Sequence, residues 1–199
     1  GATAMNKQRC SIRARSVSFG RSRVLAIGVV AMAVAGPLAG SLLCCRLCRL
    51  RHCHRVVPGR LYRSAQPTGL QYGELSRLGI RRVISLRGYA RAPEVLAEEK
   101  AACADAGVQF VRIPINKRLP SLAQIRQFLE AVRTSPGPVL VHCQHGKSRT
   151  GMLSAAYRVV VEGWPVGRAV REELVRHWPG ADAESRALTA DLIRRYVAS

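Results

Sequence analysis

From Leu61 to Val197 the apolar positions fall into two alternating rhythms: short β-branched runs, and longer runs spaced three and four residues apart. The short runs predict strands and the longer ones helices, because side chains alternate across a strand but recur about every 3.6 residues around a helix. Leu61-Tyr62-Arg63 reads as a short first strand, followed by strands at Ile80 to Leu86, Val108 to Ile115 and Pro138 to His142. Between them, Thr68 caps a helix that reaches Leu78 and ends at Gly79. Pro93 opens a helix to Ala106 closed by Gly107, and Ser121 with Gln124 makes a capping box for a helix to Arg133. Thr150 to Glu162, Val166 to His177 and Glu184 to Val197 are the closing helices, with Val159, Val160 and Val161 read as core and Trp164 as a packing anchor between helices. This order predicts an α/β fold, a three-layer sandwich with a mostly parallel central sheet flanked by helices. Its ligand would bind beyond the carboxyl end of the Pro138–His142 strand. About 135 residues bury an adequate core without disulfides.

A different pattern precedes this unit. Val24 to Leu43 is twenty residues long, uncharged and mostly small or aliphatic, and about twenty such residues span a bilayer. Arg21 and Arg23 stand before it and Arg46, Arg49 and Arg51 after it. The expected division is a basic tail at 1–23, a transmembrane or signal-anchor segment at 24–43, a basic Cys/His juxtamembrane linker at 44–56 and a folded domain at 57–199. Gly1 to Ala4 read as an addition ahead of a natural start at Met5. A single-pass anchor is the first reading and a signal peptide cleaved after Ala33-Val34-Ala35 the second; a buried core helix comes last because the flanks are basic. Leu43 precedes Cys44, where a lipoprotein site would carry a small residue. Lys and Arg are about equally dense on both sides, so orientation rests on the short leading tail. That tail places the domain outside a bacterial inner membrane, in the periplasm.

Charge sharpens the division. The formal net charge is +20, yet residues 1–63 hold twelve Lys/Arg and no acid, and the first acidic residue is Glu74. A basic footprint alone does not make a nucleic-acid binder. The excess surrounds an apolar span, aromatics are 5% of the chain, and membrane lipid is the more economical partner.

The candidate chemistry lies in His142-Cys143-Gln144-His145-Gly146-Lys147-Ser148-Arg149-Thr150-Gly151. A strand, a tight loop and a helix N-terminus form a site for a phosphate dianion. Amides from Gln144 to Arg149 (through His145, Gly146, Lys147 and Ser148) would face the anion, and Gly146 supplies the freedom for the curl. The Arg149 guanidinium is a planar fork that grips two oxygens. A helix N-terminus and nearby cations favour the thiolate of Cys143, which could attack phosphorus and form a phosphocysteine. Thr150 would donate a hydrogen bond to the departing sulfur, and Arg149 would stabilise the equatorial oxygens.

Residues 142–151 resemble the active-site loop of cysteine-dependent protein phosphatases, H-C-x5-R-[ST]-G. Gly59 to Pro67, Arg82 to Arg87, Ala155 to Arg158 and Gly163-Trp164 are similar to small bacterial dual-specificity-like phosphatases. The resemblance covers roughly Val57 to Val197 and implies phosphotyrosine or dual-specificity protein substrates, with no metal and no cofactor. It implies that His142 orients the loop. Lys147 adds a second cation, as in lipid and inositol phosphatases of the superfamily, which opens a phosphoinositide, inositol phosphate or phospholipid-headgroup substrate as the alternative. A phosphate-binding pseudophosphatase is the alternative of another class.

One part of the pattern is missing. A carboxylic acid that protonates the leaving oxygen is expected after the Val108–Ile115 strand, where the chain reads Asn116-Lys117-Arg118-Leu119-Pro120. The acid comes from elsewhere, with Asp182 and Glu94 as weak candidates, or the leaving group needs little help, or turnover is slow. Trp178-Pro179-Gly180-Ala181-Asp182 resembles a Trp-Pro-Asp acid loop but follows Cys143 and has two extra residues. It reads as a helix end and turn.

Other signals have plainer readings. Cys45, Cys48, His52, Cys53 and His54 lack the second paired ligand set of a zinc site and read, with Cys10 and Cys44, as part of the basic membrane-proximal region. Cys103 is a conceivable disulfide partner for Cys143. Arg87 and Arg91 either rim the site or are solvated. The sequence is silent on oligomeric state.

Overall fold

The computed structural model describes residues 50–88 and 92–199. The proposed span at 24–43, Cys10, Cys44, Cys45, Cys48 and Arg91 lie outside the described residues. Among the described residues, no helix is long and apolar enough to cross a membrane.

Five strands form one sheet: β1 His54–Val57, β2 Leu61–Ala65, β3 Arg82–Ser85, β4 Gln109–Arg112 and β5 Val139–Cys143. Their order is β1-β2-β5-β3-β4. β5 is central and parallel to β2 and β3, β4 is parallel to β3, and only the edge strand β1 is antiparallel. The alternation of β5 sorts its side chains: Val139, Val141 and Cys143 enter one core, Leu140 the other. β5 is buried on both faces, consistent with the apolar run Val139-Leu140-Val141.

The helices follow the expected signals closely. α1 is Gly69–Arg77, with a capping box between Thr68 and Gln71. α2 is Pro93–Asp105, and α3 is Leu122–Arg133 with the Ser121–Gln124 box formed. Tyr72 and Leu75 of α1 and Cys103 of α2 pack on the Leu140 face. Ile125, Phe128 and Val132 of α3 pack on the Val141 face. That face also receives α4 Ser148–Val160, α5 Val166–Val170 and α6 Ala183–Val197.

Three expectations are corrected. The folded unit begins before residue 57: Leu50 is buried and β1 starts at His54, inside the stretch read as linker. Val160 and Val161 are exposed rather than core, because α4 runs out into solvent before Gly163; only Val159 packs against the core. The Val166–His177 helix is not uniform. α5 passes into a π-helical turn at Arg171–Val175, with Arg176 N–H bonded to the Arg171 carbonyl. Trp164, as expected, packs where α4 and α5 meet, with the Arg158 and Arg168 guanidinium carbons 4.2 and 3.8 Å from its ring centre.

Candidate active site

Cys143 ends β5, and Ser148 begins α4 four residues after Gln144. The loop between them therefore delivers a sulfur to the N-terminus of a thirteen-residue helix, where backbone N–H groups lack intrahelical partners. A cavity of about 330 Å³ opens there, lined by Cys143, Gln144, His145, Lys147, Ser148, Arg149 and Trp178. Cys143 is 5% exposed, and its Sγ lies 3.9 Å from Thr150 Oγ1. The structure thus brings together the cysteine, the hydroxyl and both loop cations, Lys147 and Arg149, read from the sequence. Trp178, read only as part of a helix end, forms a wall of the cavity.

Gly146 makes the curl. Its φ is +69°, and a Cβ there would sit 2.4 Å from both Ala65 N and Ser64 C. Gly151 permits a second close approach, since a Cβ on it would meet the Glu173 carbonyl at 2.9 Å.

Beneath the loop lies a residue the sequence reading passed over. Arg63 on β2 is fully buried. Its Nη2 donates to the Gly146 and Lys147 carbonyls, each at 2.9 Å, and to Thr150 Oγ1 at 3.3 Å. Its Nη1 donates to the Glu173 carbonyl and lies 3.5 Å from Glu173 Oε2. Burial pulls the Arg63 pKa below its ordinary value, and the charge of Glu173 opposes that. Glu173 is shared with Arg158 Nε at 2.9 Å. The signal was available: a charged residue inside the strand Leu61-Tyr62-Arg63-Ser64-Ala65, all of it buried, has no water to solvate it and needs internal partners.

On the opposite face, His142 is braced by Glu99 of α2. His142 Nε2 lies 2.5 Å from Glu99 Oε1 with neither side chain exposed, and the ring is turned so that no straight hydrogen bond forms. Glu99 also accepts from the Tyr72 hydroxyl at 2.7 Å and from Ser85 Oγ and Gln66 Nε2 at 3.4 Å. The same burial and the Glu99 charge raise the Tyr72 pKa far above its ordinary value and push the Cys103 thiol up to about 12. Cys103 and Cys143 belong to cores on opposite faces of the sheet and are both free, so the conceived disulfide is not formed.

The place expected to carry the acid lies beside the site. The Leu86 carbonyl accepts from Arg149 Nη1 at 3.4 Å and from the Ile115 N–H at 3.3 Å. Asn116, Lys117 and Arg118 follow directly and are exposed. Asp182 caps α6, accepting from Ser185 N–H at 2.6 Å, and lies 3.4 Å from Arg118. The Ser185 hydrogen bonds and the Arg118 charge hold its carboxyl below the usual range, the wrong direction for a proton donor. Glu94 sits exposed in the first turn of α2, and neither it nor Asp182 lines the cavity. Arg87 donates to Gln66 instead of lining the cavity.

His52 and His54, grouped in the sequence, part company in the fold. His52 Nδ1 lies 2.8 Å from the His145 carbonyl, while the His54 ring lies 3.8 Å from that of His177. The N-terminal stretch therefore touches the loop directly.

The family model described as DSP-PTPase phosphatase fused to NAD+ kinase matches residues 52–190. The chain belongs to this family of dual-specificity-type phosphatase domains. The dual specificity protein phosphatase TpbA of Pseudomonas aeruginosa (strain UCBPP-PA14) is 33% identical over 139 residues, which are 69% of this chain and 59% of that relative. The chain thus spans little more than half of that relative's length. A crystal structure of P. aeruginosa TpbA in complex with pTyr is 27% identical, with a TM-score of 0.58 over 74% of this chain and 91% of that one. A DUF442 protein from Shewanella putrefaciens CN-32, 21% identical, shares the fold alone, with a TM-score of 0.64 over 76% of this chain and 97% of that one.

Proposed function

We propose that this family member hydrolyses phosphate monoesters of phosphotyrosine-bearing proteins through a phosphocysteine intermediate. The observation that carries the reading is a single cavity holding Cys143, Lys147 and Arg149 at a helix N-terminus, with Thr150 behind the sulfur. Cys143 is the nucleophile. Arg149 binds the phosphoryl oxygens and stabilises their charge in the transition state, the helix N-terminus adds its positive end, and Thr150 eases departure of the sulfur. Similarity to TpbA, solved with pTyr, supports the substrate class.

The test is turnover of para-nitrophenyl phosphate and a phosphotyrosine peptide by the full chain with a chelator present. Wild type should turn over, and acid quenching should trap a phosphorylated Cys143; Cys143→Ser should lose turnover while still binding the peptide. Stoichiometric binding with no turnover by wild type would replace the enzyme with a phosphate-reading module.

Lys147 at the cavity wall favours a second reading, a phosphoinositide or inositol phosphate substrate. A preference for such substrates over phosphotyrosine that Lys147→Ala removes would establish it. From residues 24–43 we also infer a membrane anchor with the domain on the periplasmic side; fractionation with protease protection in intact spheroplasts tests both parts.

A further inference from the structure

The carboxyl groups, the usual proton donors of this chemistry, can be searched to the end, because all twelve Asp and Glu of the chain lie among the described residues. None lines the cavity that holds Cys143. Glu99 stands on the other face of the sheet, committed to His142 and Tyr72. Glu173 is committed to Arg63 and Arg158 below the loop. Asp182 is a helix cap held in its charged form, and Glu184 beside it is paired with Arg118 at 2.9 Å. The Asn116–Arg118 stretch carries amide and cations where the carboxyl would be. The cavity offers something else: Trp178 lines it, and an indole is an apolar surface suited to an aromatic ring.

Resting on the phosphatase reading above, we infer that this chain acts on aryl phosphates, whose leaving oxygen departs without a proton from the enzyme, and spares the alkyl phosphates of serine and threonine. A phenol releases its proton with a pKa of about 10; an aliphatic alcohol holds its proton far more tightly. The Cys143 thiolate forms an S–P bond as the P–O bond breaks, and the aryl oxygen leaves with the bonding pair as a phenolate, then takes a proton from water. A second water attacks the phosphocysteine, and the S–P pair returns to sulfur. One of its protons stays on the released phosphate and the other neutralises the hydroxide left behind.

The test uses the full chain with peptides of one sequence bearing phosphotyrosine, phosphoserine or phosphothreonine, and with a series of substituted phenyl phosphates. Phosphotyrosine should exceed the other two by about 10²–10⁴-fold in kcat/KM, the usual contribution of a general acid. Across the phenyl series kcat/KM should fall steadily as the phenol becomes more basic. Placing a carboxyl at the vacant position, Asn116→Asp or Lys117→Asp, should narrow the phosphotyrosine-to-phosphoserine ratio at least tenfold. Trp178→Ala should raise KM for phenyl phosphates more than for phosphoserine. Phosphoserine turnover within tenfold of phosphotyrosine would overturn the inference. So would a selective loss of phosphoserine turnover in Glu94→Gln, Asp182→Asn or His145→Asn, which would identify the donor. No turnover of any phenyl phosphate would overturn the phosphatase reading and this inference with it, and is distinguishable from either of those results.

Discussion

His142 Nε2 and Glu99 Oε1 meet at 2.5 Å in an interior that excludes water from both. Glu99→Ala would leave the Tyr72 hydroxyl without its acceptor and the imidazole without its buried carboxylate neighbour. Leaving a buried donor unsatisfied costs about 1–3 kcal/mol, and the urea midpoint should fall accordingly. Glu99→Gln keeps an acceptor for Tyr72 and should lose less. An unchanged midpoint in the alanine variant would show that the contact carries no stability.

Arg63→Lys should not be conservative. One Nη2 reaches three loop acceptors while Nη1 serves Glu173, a fork that an ammonium cannot reproduce. Thermal unfolding should drop by several degrees and kcat by an order of magnitude or more, with KM for phosphate esters rising. Wild-type kinetics in the lysine variant would mean that the loop holds its shape unaided.

Gly146→Ala combines a left-handed φ with a Cβ 2.4 Å from strand backbone, and neither Ser64 nor Ala65 can step aside without breaking β2. The expected outcome is loss of oxyanion binding, read as absent protection by vanadate or phosphate in a melting assay. A variant that still melts higher with vanadate would contradict the assigned close approach.

Acid should weaken the fold through His177. Burial first, then the charges of Arg63, His54 and Arg176, pull its pKa from 6.5 to about 3. Between those values the unfolded chain binds a proton that the native chain refuses, so stability falls as pH drops through that window. His54, also lowered, acts in the same direction. Melting temperature measured from pH 7 to pH 4 should decline, and His177→Asn should flatten the decline.

Native alkylation should separate the thiols. With its pKa pushed up to about 12 and no exposure, Cys103 should resist iodoacetamide at pH 7.5, while Cys143 reacts and is protected by phosphate. Peroxide treatment followed by peptide mapping should yield no Cys103–Cys143 crosslink, since the two side chains face opposite sides of the sheet.

What could be read in advance was local. The Thr68 cap of α1, the capping box of α3, the glycine that closes α1, and the cysteine-to-arginine spacing are each set within ten residues, and the structure places them as read. Arg63 and Glu99 escaped because their meaning is long-range: Arg63 meets Gly146 across 83 residues, and Glu99 was one acid in an otherwise ordinary helix until β5 brought His142 to it. The end of α4 was misjudged because three consecutive valines are apolar without being periodic, and a run of that kind does not say which side of a helix is inward. The π-helical turn had no sequence signal. Within that turn the Glu173 carbonyl accepts from Arg63.

The edge strand has a practical corollary. β1 covers one side of β2, the Arg51 carbonyl accepts from Ala65 N–H at 2.8 Å, and His52 touches the Cys143–Arg149 loop. A fragment trimmed to residue 57 would bare the flank of β2 as a sticky template for other chains and remove a brace from the reactive loop in the same cut. Soluble material for crystals or assays should therefore start no later than Leu50, and limited proteolysis that nicks between Leu50 and Arg60 should be read as damage to the folded domain rather than as the release of a linker.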